Sequence, residues 1–361
     1  AFDSGESQMA EELMRSVMKS ADVDRRLQAG DLLCDLMENR GDTAEWGRLV
    51  HEMTKLENEA SDVGRCALYS ARSMWLGSEG RFMDGLADAQ RALAVAAPGP
   101  PAQRAAQRLA FACLPQMQLD DALKAAKRSV LEAGDVPLLR SRSLRILGLV
   151  QLWQHSPKAV DTLQRVPELC RSTGLMTRYP IALHDLGDAY RVTGMLDRAR
   201  EMYNETIALC EGLPLTSTVA LCHFKLAMCD ILEGQSCQRV QRMDDLVAQG
   251  LRVGLGQSDR FGAFLCGWAH AKQGEVGSSL GSLAQAGDLV SLLVDPQMPQ
   301  IIEEICTALV ECVLTGPDTL VHLAGVSGLC RQAREVFGIA GDMTRLQKVE
   351  RLLQRLPQVP L

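Results

Sequence analysis

Histidine, cysteine and acidic side chains could bind a metal or supply a nucleophile and a base, but their spacing in this chain favours neither. No two of the six histidines lie three or four residues apart, so no single helix presents a pair of them as metal ligands. The twelve cysteines include no C-x-x-C pair and mostly have apolar neighbours, which is typical of buried thiols in a reducing compartment. The sequence motifs of phosphate-binding loops, zinc proteases and serine hydrolases are absent. We therefore expect a protein without enzymatic activity, metal or cofactor.

The composition excludes several other classes of function. The chain has 361 residues, of which 47% are hydrophobic and 23% charged, and its net charge is -7. An acidic chain is a poor candidate for binding nucleic acid or a membrane surface through bulk charge. The best apolar run, Leu289–Val294, falls far short of the ~18 residues of a membrane span. We expect a cytoplasmic protein with a large hydrophobic core.

An internal repeat organises the chain. Its clearest unit is residues 181–214, where apolar and small residues recur at helical spacing, stop at Gly194 and then start again. This pattern predicts two helices joined by a short turn, with glycine in the left-handed conformation at the end of the first helix. Gly194, Gly234 and Gly274 are spaced 40 and 40 residues apart, and Gly41 and Gly80 are 39 apart. Further turns are predicted at His155 and near Met117-Gln118.

The repeats predict one continuous array of about eight helix pairs. Pro98-Gly99-Pro100-Pro101 is interpreted as a loop between repeat units and not as a domain boundary. Asp22 and Asp42 are predicted helix N-caps. The predicted parts are a single array over 1–361, with degenerate capping helices at 8–57, core repeats at 60–290 and C-terminal capping helices at 297–356.

The best unit resembles the tetratricopeptide repeat. The pattern W-x2-L-G-x2-Y, A-x3-F, P is matched by Leu183-x2-Leu186-Gly187-x2-Tyr190, by Ala199-x3-Tyr203 and by Pro214. The chain departs from it at Leu183 and Tyr203, and its period is nearer 39 than 34 residues. The longer period is similar to the sensor arrays of bacterial regulators related to the maltose activator. The resemblance implies an all-α, right-handed superhelical solenoid of antiparallel helix pairs.

The resemblance also implies which residues line the concave groove of such an array, since the first helix of each pair faces inward. The residues at these positions are mainly arginine and aromatic, and both types contribute strongly to binding surfaces. The predicted groove residues are Arg104, Gln107, Phe111, Arg142, Arg145, Leu149, Trp153, His184, Asp188, Arg191, Phe224, Met228, Phe264 and Trp268. The alternative, left open by the sequence, is that the arginines pair with acids on adjacent helices and that Trp153 and Trp268 belong to the core.

The function predicted from these features is protein–protein interaction. The groove would bind a peptide or a partner domain, with an acidic segment as one candidate, and the chain would form part of a larger cytosolic signalling or regulatory protein. One alternative is a sensor that binds a small metabolite among Trp153, His184 and Trp268. A second alternative is a scaffold for homo-oligomers.

Overall fold

The structure is a computed structural model that describes residues 7–40, 42–210, 216–234, 258–289, 295–316 and 319–357. In these ranges the chain forms seventeen α-helices and no β-strand. The helices are α1 (Ser7–Val17), α2 (Val23–Arg40), α3 (Thr43–Thr54), α4 (Asp62–Ser78), α5 (Phe82–Val95), α6 (Pro100–Cys113), α7 (Leu119–Ala133), α8 (Pro137–Trp153), α9 (Lys158–Thr173), α10 (Tyr179–Val192), α11 (Leu196–Leu209), α12 (Thr216–Leu232), α13 (Ser258–Lys272), α14 (Val276–Ala286), α15 (Met298–Thr315), α16 (Thr319–Ala340) and α17 (Met343–Arg355). The predicted all-α class is confirmed.

The chain divides into two compact units. Unit 1 consists of residues 1–225 and 253–256, and unit 2 consists of residues 226–252 and 257–361. The division at residue 225 falls inside α12. The predicted single array over 1–361 stays a prediction, and Gly41 and Pro214 lie outside the described residues.

The turns within the helix pairs lie where the repeat predicts them. Gly80, Gly194, Gly234 and Gly274 have φ values between 77° and 81°, in the left-handed region that glycine adopts without steric cost. At Gly194 the next amide, of Met195, donates to the carbonyl of Tyr190, which closes the last turn of α10.

Two of these turns use a residue other than glycine. Met117 and His155 have φ values of 52° and 50° and occupy the same left-handed position between α6 and α7 and between α8 and α9. The following amides, Gln118 and Ser156, donate to carbonyls five residues earlier, as Met195 does. The repeat geometry is therefore kept even where the side chain makes the backbone conformation unfavourable.

Small residues in the first helix let its partner approach closely. A Cβ at Gly187 would lie 2.7 Å from Cε1 of Tyr203, and one at Gly148 would lie 2.5 Å from Cγ of Leu163. These distances are too short for real carbon contacts. The glycines of the Leu-Gly pairs therefore fix how tightly α8 packs on α9 and α10 on α11.

In unit 1 the first helices of successive pairs form a row. Helix α4 contacts α6, α6 contacts α8 and α8 contacts α10, while the second helices α5, α7 and α9 each pack on their own partner and on the next first helix. Helix α2 packs on α4 and reaches α6 through ion pairs. The inward positions predicted on α6, α8 and α10 thus belong to neighbouring helices.

Candidate interaction site

Charged and polar side chains on α6, α8 and α10, six of them at predicted inward positions, make up what is called here the charged face. Its members lie on three successive first helices and are buried or half-buried. The charged face consists of Arg104 and Arg108 on α6, Arg142 and Arg145 on α8, and His184, Asp185, Asp188 and Arg191 on α10.

Arg104 is bound to two carboxylates of α2. Its guanidinium donates to both carboxylate oxygens of Asp31, with the Nη2–Oδ1 distance at 2.8 Å, and to both oxygens of Asp35 at 2.9 Å. Nη2 also donates to the carbonyl of Asp31 at 3.0 Å. Every nitrogen of this guanidinium therefore donates to an acceptor inside the protein. The two acceptor residues, Asp31 and Asp35, lie 73 and 69 residues away along the chain.

Asp35 is shared by further arginines. Arg108 Nη2 donates to its Oδ1 at 2.5 Å, and Arg142 Nη1 lies 3.7 Å from its Oδ2. Burial alone would raise the pKa of Asp35, but the charges of Arg104, Arg108 and Arg142 hold that pKa well below its usual range. The Asp35 carboxylate is therefore ionised and acts as the common anion of α6 and α8.

Glu38 is the third acid on the same face of α2. Asp31, Asp35 and Glu38 are spaced four and three residues apart, which places them on one side of a helix. Burial raises the pKa of Glu38, and the nearby charges of Arg108 and Arg145 counter this only in part. Helix α2 thus presents an acidic stripe to the arginines of α6 and α8.

Arg145 links α8 to α10. Its Nε donates to Asp185 Oδ2, and its guanidinium carbon lies 5.5 Å from the centre of the Phe111 ring, within range of a cation–π contact. Nδ1 of His184 lies 3.2 Å from Asp185 Oδ1. Burial would raise the pKa of Asp185, but Arg145 and the hydrogen bond from His184 lower it to about 2.

Asp188 is the centre of a second buried group. The Tyr203 hydroxyl donates to its Oδ1 at 2.7 Å, Arg191 Nη2 lies 3.2 Å from the same oxygen and Lys225 Nζ lies 3.7 Å from it. The Lys225 charge and the neighbouring His184 and Arg191 outweigh burial and lower the pKa of Asp188 to about 2. The Arg191 side chain is fully buried. This predicted groove residue therefore joins α10 to α11.

The other predicted groove residues lie mostly inside the protein. Trp153 belongs to a core cluster with Ala110, Ile146 and Val150, and Phe111 and Leu147 pack against that cluster. The remaining positions are half-buried Leu149 and buried Gln107, Phe224, Met228, Phe264 and Trp268. Phe224 lies in unit 1, and Met228, Phe264 and Trp268 lie in unit 2. Their role in binding stays a prediction.

Among the atoms of the charged face, Nε of Arg108 and Nε2 of His184 are buried without a hydrogen-bond partner in the described part of the chain. Arg108 is 5% exposed and His184 is 8% exposed. Buried polar groups are normally satisfied, so each such atom needs an explanation. Arg108 Nε is always a donor, whereas the role of His184 Nε2 depends on the tautomer and protonation of the ring.

Several charged residues in or against the charged face are not among the predicted groove residues. Arg108, Lys225 and the three acids of α2 are absent from the predicted groove, although the spacing of Asp31, Asp35 and Glu38 along one helix face is readable from the sequence. The sequence does not show that α2 lies near α6, because the residues in contact are about seventy positions apart.

Two further features were considered for the described residues, a metal site and a membrane span. They contain no group of three or more histidine, cysteine or acidic residues placed to hold a metal ion. None of the helices described is long and apolar enough to span a membrane.

Comparisons with known proteins place the fold. No protein-family profile matches the chain, and no curated protein matches it by sequence. The structure of a Rap protein complexed with competence and sporulation factor is similar, with 14% identity and a TM-score of 0.62 over 99% of this chain and 93% of that one. Aspartyl phosphate phosphatase F from Bacillus subtilis matches with 11% identity and a TM-score of 0.43, over 98% of this chain and 92% of that one.

A putative kinesin light chain with TPR-like repeats from Podosopora anserina matches with 16% identity and a TM-score of 0.39, over 54% of this chain and 99% of that one. The repeated helix pairs, their regular left-handed turns and the near full-length similarity to the Rap structure show that this chain has a tetratricopeptide-like helical repeat fold.

Proposed function

We propose that the chain is a non-enzymatic interaction module that binds an extended peptide segment of a partner protein at the charged face of unit 1. The observation that carries this proposal is the pair of buried, unpartnered atoms, Arg108 Nε and His184 Nε2, on first helices of the array. Arg108 Nε is a donor that a backbone carbonyl of the ligand would satisfy. A backbone carbonyl or amide would satisfy His184 Nε2, according to the tautomer of that ring.

The energetic reason is the cost of leaving such atoms unpaired. A buried polar atom without a partner costs about 1–3 kcal/mol, which a ligand that supplies the partner recovers. The surrounding side chains are held by contacts with carboxylates, as Arg108 is by Asp35 and His184 by Asp185. A surface fixed in this way loses little conformational entropy when a ligand binds.

The same contacts bear on the chemistry of the partner. Arg104 and Arg145 already have carboxylate partners, so an acidic ligand would have to compete with Asp31, Asp35 and Asp185. Recognition of backbone amide groups needs no such exchange. We therefore favour a peptide recognised through its backbone, and an acidic segment remains the alternative.

The fold is compatible with this function. The Rap protein of similar fold was solved in complex with competence and sporulation factor, so a helical array of this kind can hold a binding partner. The expected partner here is a protein or peptide.

The test is selection of peptides from a random displayed library on the immobilised chain, followed by affinity measurement by fluorescence polarisation. Arg108→Lys keeps a cation beside Asp35 but removes Nε, and His184→Asn keeps a donor for Asp185 but removes Nε2. We expect either change to weaken selected peptides about tenfold or more, the equivalent of one lost buried hydrogen bond.

A matched control is Lys124→Gln on α7. Lys124 pairs with Asp121 at 3.0 Å on an exposed helix surface, so its loss should leave affinity unchanged. Selected peptides that bind the Arg108 and His184 variants as tightly as the wild type would remove the charged face as the site. Equal thermal stability of the variants separates loss of binding from loss of folding.

A further inference from the structure

Arg145 has the most exposed side chain among the arginines of the charged face. It is 23% exposed, whereas the side chains of the other four are 17% exposed or less. Its Nε donates to Asp185 Oδ2, and its Nη2 lies 3.4 Å from Oδ1 of the same carboxylate. Asp185 therefore holds one edge of this guanidinium and leaves part of the side chain in contact with solvent.

The ring of Phe111 supports the same guanidinium. Cζ of Arg145 lies over this ring, 5.5 Å from its centre, which is within range of a cation–π contact. Phe111 is half-buried and packs against the core cluster that contains Ile146 and Val150, so the ring is held in place. The guanidinium is thus fixed by a carboxylate along one edge and by an aromatic ring on one face.

The opposite face of the guanidinium and its Nη1 are left for an external group. The described residues provide neither a hydrogen-bond acceptor for Nη1 nor a second aromatic ring for the face opposite Phe111. A guanidinium donates hydrogen bonds in its plane and stacks on aromatic rings through its faces. An uncharged ring can stack on Arg145 without displacing Asp185, whereas a carboxylate would compete with Asp185 for the same cation.

We infer that the peptide bound at the charged face carries an aromatic side chain that stacks on Arg145, so that the guanidinium lies between this ring and Phe111. The inference rests on the proposed function and names the residue class that the site selects, which is Phe, Tyr or Trp. A carbonyl of the peptide accepts a hydrogen bond from Nη1. Leu149 is half-buried one turn further along α8 and offers apolar surface beside the ring.

The order of the helices gives the position of the aromatic residue in the peptide. Helix α8, which carries Arg145, contacts both α6, which carries Arg108, and α10, which carries His184. Packed helices lie about 8–10 Å apart, and an extended peptide advances about 3.3 Å per residue. The aromatic residue is therefore expected about three residues from each of the two residues that contact Arg108 and His184.

The experiment selects linear peptides, long enough to cross all three helices, from a random displayed library on the immobilised full chain. We expect the recovered sequences to share Phe, Tyr or Trp at one position. A recovered peptide and its variant with Leu in place of the ring are then measured against the wild type and Arg145→Lys. Lysine keeps a cation beside Asp185 but has no planar face, so the aromatic peptide should lose about fivefold more affinity than the Leu peptide.

The matched control is Arg140→Lys on the same helix. Arg140 forms an exposed pair with Asp135 at 3.2 Å, and the change should leave the affinity of both peptides unchanged. The wild-type chain alone decides the matter if Arg145→Lys folds poorly. Cyclohexylalanine has the bulk of phenylalanine without its π electrons, and this replacement in the peptide should weaken binding about fivefold.

The outcomes separate this inference from the proposed function. Recovered peptides without a shared aromatic position, or equal affinities of the aromatic and cyclohexylalanine peptides, would overturn the stacking on Arg145. If those peptides still depend on Arg108 and His184, the proposed function stands without it. Peptides that bind the Arg108 and His184 variants as tightly as the wild type would overturn both, as would a library that yields no peptide.

Discussion

Replacement of Arg104 by Met should destabilise the protein by removing the ion pairs between α6 and α2. Arg104 binds both oxygens of Asp31 and of Asp35, and Asp31 is only 4% exposed. Methionine fills a similar volume but leaves these buried carboxylates without their main partner. Loss of one partner from a buried ion pair costs about 3–5 kcal/mol, and we expect a loss of that size in the free energy of unfolding.

Urea unfolding followed by circular dichroism measures this loss. The control is Arg140→Met, which breaks an exposed pair with Asp135 at 3.2 Å and should cost less than about 1 kcal/mol. The double variant Arg104→Met, Asp31→Leu should recover part of the loss, because Asp35 keeps Arg108. A cost below about 1 kcal/mol for Arg104→Met would refute the reasoning and show that Arg104 is available to an external partner.

Three further predictions concern the turns, the pH dependence and the alternative ligand. His155→Gly should raise the free energy of unfolding by about 0.5–1 kcal/mol, because His155 is exposed and has a left-handed backbone. Gly194→Ala should lower it by a similar amount, although a Cβ there meets no atom within 4 Å. Chemical denaturation of both variants measures these changes, and stabilities equal to that of the wild type would contradict the prediction. The pKa of the Asp185 carboxylate is lowered to about 2 beside Arg145, so the ionised carboxylate should stabilise the fold by about 2 kcal/mol above pH 4. This contribution should be lost as the pH falls from about 4 to 2. Asp185→Asn should flatten this pH dependence in unfolding curves recorded across that range. A thermal-shift screen against metabolites should show no specific stabilisation if the partner is a peptide, whereas one compound that raises the melting temperature in a saturable way would favour the sensor alternative.

The repeat and its turns are predictable from the amino-acid sequence alone. Apolar residues at helical spacing and a glycine every 40 residues are local signals, and they predicted the left-handed positions at Gly194, Gly234 and Gly274. They also predicted the exceptions at Met117 and His155, because the period continues through them. Local periodicity is enough here because each helix pair packs mainly on its neighbours in the chain.

The partners of the arginines of the charged face depend on the packing of helices that are distant in the sequence. The sequence left open whether Arg104 and Arg145 face a ligand or pair within the array, and the structure pairs them with Asp31, Asp35 and Asp185. Helical periodicity shows which side of a helix a residue lies on but not which distant helix covers it. The choice of partner depends on packing across 40 to 73 residues of chain, and this also determines which polar atoms of the face stay unpaired.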